Sequence, residues 1–315
     1  MTDWTIKNFS PLISGKVRNV YAVPDREDLL FILTTDAISA FDRVVGEVPE
    51  RGVILNRMSN YWKGAVGESI IKSDIFLTNP KQCLEMFGIK NLKKYNGRVM
   101  LVKRARALPI ECIVRGYICG SLWKDYQSRQ RVAGSYLDNH LPANLLESEE
   151  LPMPIFTPTT KAPKGQHDEP LAFAEMSYVL KEWLRVQEID LRQSNYFNAR
   201  ILAEKIRSVS LEIYCMASRL ALEKGIIIAD TKFEFGLVWN DNQNLWELRI
   251  IDEVLTPDSS RFWARDGYVM GKSQNSFDKQ VLRDWLTNNP GEKLPDFLIS
   301  SLYELYSSAY ELICK

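Results

Sequence analysis

Histidine is nearly missing from this chain: only His140 and His167 occur among 315 residues. A His-rich metal site is thereby excluded, and a triad built on an imidazole base is disfavoured. Cysteine is sparse too. Cys83, Cys112, Cys119, Cys215 and Cys314 form no CxxC pair and read as reduced, mostly buried thiols of a cytoplasmic protein. No apolar run approaches the roughly 18 residues of a membrane span. The first residues, Met1-Thr-Asp-Trp-Thr-Ile-Lys7, lack the apolar core of a signal peptide. Net charge is also absent. Lys plus Arg and Asp plus Glu number 40 each, so no global field draws the chain to nucleic acid or membrane. Chemistry is left to Lys, Arg, Asp and Glu, a set suited to handling phosphate.

The length suits about two domains of roughly 100–200 residues each. Residues 12–35 read as a β-turn-β unit, 56–65 and 79–87 as short helices, and 99–103 as a strand. Together they make a strand-rich N-terminal lobe, residues 1–105, ahead of a larger lobe, residues 106–315. In the second part, 111–114 reads as a strand. Five prolines between 152 and 170, with Gly165, predict a long irregular loop over 151–170. Leu202, Ile206, Val209, Ile213, Met216 and Leu220 recur at helical spacing and form one apolar face, with Gly225 as the stop. Helices are also predicted over 278–287 and 295–313.

The most informative stretch lies between 226 and 263. Ile226 to Val238 has strand character, Asn240 to Asn244 reads as a turn, and Leu245 to Ile251 as a returning strand. Alternation places Asp230, Lys232 and Glu234 on one face, and Thr231, Phe233 and Phe235 on the other. A hairpin register brings Glu234 near Asp252. Two carboxylates about 4–5 Å apart would repel by about 3–4 kcal/mol at an effective dielectric of about 20. A divalent cation would remove that repulsion, and one or two carboxylates with phosphate oxygens suit Mg²⁺. The same residues also suit a hairpin whose polar face meets water, with Lys232 balancing Glu234. The stretch alone does not choose.

Other segments carry weaker signals. Ser14-Gly15-Lys16-Val17-Arg18 lacks the spacing of a Walker A loop. It suits either a phosphate-covering hairpin loop or an ordinary tight turn. Asp36-Ala-Ile-Ser39-Ala-Phe-Asp42 suits a cleft lining or a helix cap. Arg115, followed by Gly116 and then Gly120-Ser121, suits anion binding: a guanidinium can fork onto phosphate or carboxylate while the turn offers N–H and hydroxyl groups. Thr157 to Glu169, with Lys161 and His167, suits a substrate-contacting loop or a solvated one. Arg261 follows Asp258-Ser259-Ser260 and can pair with an anion.

Taken together these segments resemble one family. SGKVRNVY (14–21), SAFD (39–42), PIECIVRGYICGS (109–121), FTPTTKA (156–162), HDE (167–169), IADTKFEFG (228–236), IDEVLTPDSSRFW (251–263) and SFDKQVLRDWL (276–286) are similar, in order, to the SAICAR synthetases of purine biosynthesis. The chain departs at Cys119, where the family usually has Ala or Thr, at Asn19, where Asp is common, and at Thr35, where Ser is common. The resemblance implies a two-lobed α+β fold with ATP in the cleft between lobes, akin to ATP-grasp enzymes and protein kinases. It implies a ligase that joins CAIR, a carboxylated aminoimidazole ribonucleotide, to L-aspartate with ATP and Mg²⁺. No nucleic acid or membrane partner is expected, and a homo-oligomer is compatible with the sequence. The expected metal ligands are Glu234 and Asp252. Ser14, Gly15, Lys16, Arg18 and Lys103 join them around the nucleotide, with adenine against Leu101–Ala105. Arg115, Ser121, Lys161, His167, Asp230, Lys232 and Arg261 are expected at the substrates, with Lys16, Lys232 and Arg261 catalytic. A kinase is the rival reading. The absence of H-R-D-x-x-x-x-N and GxGxxG argues against a protein kinase.

Overall fold

A computed structural model describes residues 2–6, 9–41, 43–89, 92–129, 134–162, 167–277 and 279–315. The first hundred residues give β1 (Ile13–Ser14), β2 (Arg18–Val23), β3 (Arg26–Thr34), β4 (Ala37–Ala40) and β5 (Arg43–Glu47). Then come α1 (Arg51–Ser69), β6 (Ile75–Leu77), α2 (Pro80–Glu85), α3 (Leu92–Tyr95) and β7 (Val99–Lys103). Strands β1-β2-β3-β7-β6 form an antiparallel sheet in that order, while β4 and β5 pair as a separate hairpin. Leu29, Phe31 and Leu33 alternate along β3 and pack with Tyr21, Leu84, Phe87 and Leu101 into one apolar cluster. The predicted helix at 56–65 is nearly twice as long. Its buried side carries polar residues, Arg51, Asn56, Ser59 and Lys63, which hid it from an apolar pattern.

The rest of the chain gives β8 (Arg106–Ala107), β9 (Ile110–Tyr117), α4 (Gly120–Ser128), β10 (Gly134–Tyr136), β11 (Asn139–Leu141), β12 (Glu150–Phe156), β13 (Thr159–Thr160) and α5 (Phe173–Val186). It continues with α6 (Ala199–Glu223), β14 (Ile226–Asn240), β15 (Leu245–Ile251), β16 (Ser260–Ala264), α7 (Gln280–Asn288) and α8 (Asp296–Cys314). A seven-stranded sheet runs β12-β9-β14-β15, with β8 and β16 also pairing β14 and β13 pairing β9. The fifteen-residue β14 is its spine. Helix α6 lays Leu202, Ile206, Val209, Ile213 and Ala217 against this sheet. Asn198 caps its start by accepting from the Ile201 N–H at 3.0 Å. Gly225, at φ 82°, follows its last turn, where a side chain would be strained.

The loop expected over 151–170 is partly wrong. Residues 150–156 form β12 despite Pro152 and Pro154. This strand lies at the edge of the sheet, and its register with β9 shifts between Glu150 and Ile155. Missing N–H donors are tolerated at such an edge. Residues 163–166 of that segment lie outside the described residues, as do Asp42 and Asp278. Helices α7 and α8 close over α1, where Leu282, Leu286, Leu298 and Leu302 pack with Ile38, Ile54 and Leu55. Among the described residues no helix is long and apolar enough to cross a membrane.

Candidate active site

Strand β14 lies between β9 and β16 at Asp230, and register decides what faces it. Arg115 of β9 and Arg261 of β16 are both direct cross-strand partners of Asp230. The Nη1 atoms of the two arginines donate to the same oxygen, Oδ2, at 3.0 and 2.8 Å. Arg115 also donates from Nε to Thr157 Oγ1 at 3.0 Å and from Nη2 to Ser121 Oγ at 3.3 Å. Arg261 donates to the Cys119 sulfur at 2.9 Å. Burial, and then the charge of Asp230, push that thiol up to about 12, so it stays protonated. Two guanidiniums thus share one carboxylate oxygen in a mostly buried place. The N-terminus of α4 begins at the same spot. Gly120 there has φ 58°, and a Cβ on it would come within 2.8 Å of the Arg261 guanidinium. Only glycine lets that group lie so close. Guanidinium, hydroxyl and helix N-terminus in one place are groups that can take an anion.

Two and four residues further along β14, Lys232 and Glu234 project on the same side. The Lys232 Nζ bonds Glu111 Oε1 at 2.6 Å. Burial alone would lower the proton affinity of Lys232, but Glu111, Glu234 and Asp252 raise it, so the amine is held charged. Glu234 pairs with Ile251 in β15, which puts Asp252 just past the strand end, as the sequence predicts. Glu234 is ion-paired with Lys161, and Arg18 bridges Asp252 and Glu253. The two carboxylates sense one another but sit differently. Burial, then the charge of Asp252, raise the proton affinity of Glu234. Surrounding protein opposes charge on Asp252 although 42% of its side chain meets solvent, yet Arg18, Lys161 and Lys63 hold it down at about 2. Lys63 of α1 is itself fully buried and bonds Asp74 at 2.6 Å.

The turn after β15 is pinned from below. Ser59 of α1 accepts the Val254 N–H at 3.1 Å. Asp258 receives Arg51, Lys279 at 2.7 Å and the Tyr306 hydroxyl at 2.7 Å, all nearly or fully buried. A cavity of about 520 Å³ opens beside the arginine cluster, lined among others by Phe41, Ser121, Trp123, Arg261, Trp263 and Arg283. A smaller one of about 120 Å³ runs along Asp230, Pro257 to Arg261, Lys279 and Arg283.

The predicted residues thus fall into two joined groups: Arg115, Ser121, Asp230 and Arg261 at one end, and Arg18, Lys161, Lys232, Glu234 and Asp252 at the other. Ser14 ends β1 and Gly15 and Lys16 follow it on the β1–β2 connection, all three exposed, and His167 is exposed. Lys103 ends β7, its N–H bonded to the Asp74 carbonyl at 2.7 Å. Sequence reading missed Glu111, Glu253, Lys63, Lys279 and Arg283. Glu111 carried a readable signal, a charge alternating with Arg115 inside an apolar strand. Lys63 carried none.

Comparison with known proteins decides the family. The SAICAR synthetase family model matches residues 11–295. The chain belongs to the SAICAR synthetase family. It is 43% identical over 309 residues to the phosphoribosylaminoimidazole-succinocarboxamide synthase of Lachnospira eligens, covering 96% of this chain and 94% of that one. It is 44% identical over 306 residues to the synthase of the same name from Geobacter sulfurreducens, covering 94% and 91%. The SAICAR synthase of Saccharomyces cerevisiae, solved in complex with SAICAR, superimposes with a TM-score of 0.80 at 33% identity, covering 99% of this chain and 97% of that one. The fold is therefore that of this family.

Proposed function

We propose that this chain is an ATP-dependent carbon–nitrogen ligase that joins CAIR and L-aspartate to give SAICAR, ADP and phosphate in purine biosynthesis. Family membership over almost the whole chain supports the reaction. The observation that carries it is the polar face of β14, where Asp230, Lys232 and Glu234 line up within an otherwise apolar sheet, between an anion-holding cluster and a carboxylate pair. Charge clustered and partly buried in this way costs stability and is retained where it binds something.

A carboxylate does not acylate an amine at neutral pH, because oxide is too poor a leaving group. One CAIR carboxylate oxygen attacks the γ-phosphorus of ATP, and ADP leaves. The amine of aspartate then attacks the acyl carbon, the amide forms, and phosphate departs with the former carboxylate oxygen while the nitrogen loses a proton. The protein's part is positioning and charge neutralisation. Arg115, Ser121 and Arg261 hold the anionic groups of CAIR. Asp230, bonded to both arginines, fixes their direction and orients the aminoimidazole. Lys232 and Lys16 offset the charge on the reacting carboxylate and phosphates. Arg18, Ser14 and Gly15 attend the phosphates, adenine lies along Leu101–Ala105 with Lys103, and Lys161 and His167 contact substrate from the 157–169 segment.

Glu234 and Asp252 fit Mg²⁺: both are hard oxygen donors, and Glu234 bears a repulsion from Asp252 that a cation would relieve. Among the described residues no group of three or more His, Cys, Asp or Glu side chains is placed to hold a metal ion, so the other ligands of an ion here would be substrate oxygens and water. When bound, Mg²⁺ would neutralise charge on the transferring phosphoryl group. The boundary between lobes falls at 105/106, and the enzyme works in the cytoplasm. Coupled ADP release tests the reading. ADP should appear only with ATP, CAIR, aspartate and Mg²⁺ all present, and release that ignores omission of CAIR or aspartate would sink it.

A further inference from the structure

Phe41 stands where a phenyl ring has two reasons not to be. It sits at the tip of the β4–β5 hairpin with φ 48°, the left-handed region that disfavours any residue bearing a bulky side chain. It is also 57% exposed. The hairpin register slips between Ile38 and Ser39, a bulge of the kind that re-aims a strand end. The ring lines the cavity of about 520 Å³ that also holds Ser121 and Arg261. Strained residues of this sort cluster at ligand sites, where the surrounding structure over-determines them.

We infer that Phe41 is a specificity-determining residue of this cavity, its ring packing on the planar heteroaromatic base of the anionic ribonucleotide whose charged groups Arg115, Ser121 and Arg261 hold. This rests on the ligase reading and adds a contact to it. The volume fits a mononucleotide, within the roughly 300–1,000 Å³ usual for ligand sites. Trp123 and Trp263 on the same cavity give it further apolar wall beside its cations. A phenyl face offers a flat base a stacking surface, whereas it offers a small charged amino acid only lost hydration. Adenine is assigned to β7, in the other sheet.

The test is steady-state kinetics of F41A, F41L, F41Y and F41G, with CAIR, ATP and L-aspartate varied in turn. F41A should raise the KM for CAIR about ten-fold, F41L less, and F41Y hardly at all. The KM values for ATP and aspartate should stay within about two-fold. F41G should raise the CAIR KM as F41A does while its Tm equals or exceeds that of the wild type, because glycine accepts the left-handed backbone. A purely structural role would lower Tm and shift all three KM values together. An unchanged CAIR KM in F41A, or a rise confined to aspartate or ATP, overturns the inference. If the wild type itself releases no ADP in response to CAIR and aspartate, the ligase reading falls and this contact with it. Normal wild-type turnover beside a silent F41A removes only the role of Phe41.

Discussion

The two ends of the polar face of β14 are neutralised by different means. At Asp230 the counter-charges are direct register partners, Arg115 on one neighbouring strand and Arg261 on the other, so forming the sheet is enough to assemble the cluster. At Glu234 and Asp252 the counter-charges are not register partners: Arg18 comes from β2 of the first sheet, and Lys161 from the segment that follows β13. The first end is a property of the sheet. The second exists only once separate parts of the chain have docked, and it is the end to which the proposed reaction assigns the phosphates. The contrast extends to protonation. Asp252 is stabilised as an anion in the fold, whereas Glu234 is not.

The largest effect is expected at the docked end. If Glu234 and Asp252 act as proposed, E234Q and D252N should each lower kcat/KM by about 10³-fold, since each would remove preorganised charge at the transferring phosphoryl group. Near-normal turnover with unchanged Mg²⁺ dependence would remove the metal assignment. At the sheet-built end, R115A or R261A should raise the KM for CAIR about 10- to 100-fold, the cost of losing a hydrogen bond between charged groups, with a much smaller change for ATP. Equal effects on both substrates would move these arginines away from CAIR.

Thermal stability separates the two carboxylates. The proton affinity of Glu234 is raised above its ordinary value of 4.5, so its ionisation opposes folding at neutral pH, and E234Q should keep or raise Tm. Asp252 is depressed from 3.8 to about 2. Its contribution is present above 3.8 and lost as pH falls from there toward 2, so D252N should lower Tm at pH 7 and flatten the acid limb of a denaturation profile across that window. Shifts of the same sign in both variants would erase the distinction. The smallest effect is expected at Tyr306: Y306F should cost about 1–2 kcal/mol in urea unfolding by leaving Asp258 one donor short, with kcat little altered.

Much of this site was legible because strand alternation is a strict rule. Asp230, Lys232 and Glu234 share a face for that reason alone, and a hairpin turn at 240–244 put Asp252 near Glu234. That Arg115 and Arg261 flank Asp230 was not legible, because it depends on β9 and β16 lying on either side of β14, and strand order is not written in any local pattern. The prolines of β12 were read as loop because an edge strand cannot be told from a central one in sequence. Helix α5 was missed although Met176, Leu180 and Leu184 recur every four residues, a pattern that was there to be found. Lys63 and Arg51 in α1 had no such pattern, since their partners Asp74 and Asp258 come from other elements.

The hydroxyl of Tyr306 on Asp258 sets a timetable for the nascent chain. Both sheets and all the residues assigned to substrate precede position 306, yet the turn carrying Asp252 gains its last clasp from α8. Forty-eight residues separate Asp258 from Tyr306. At about 5–20 residues per second, a ribosome needs about 2–10 s to make them. For that interval Arg51 and Asp258 lack the phenol that completes their network, and a chain stalled before α8 would hold every assigned catalytic group while the turn from Asp252 to Asp258 is not yet fastened.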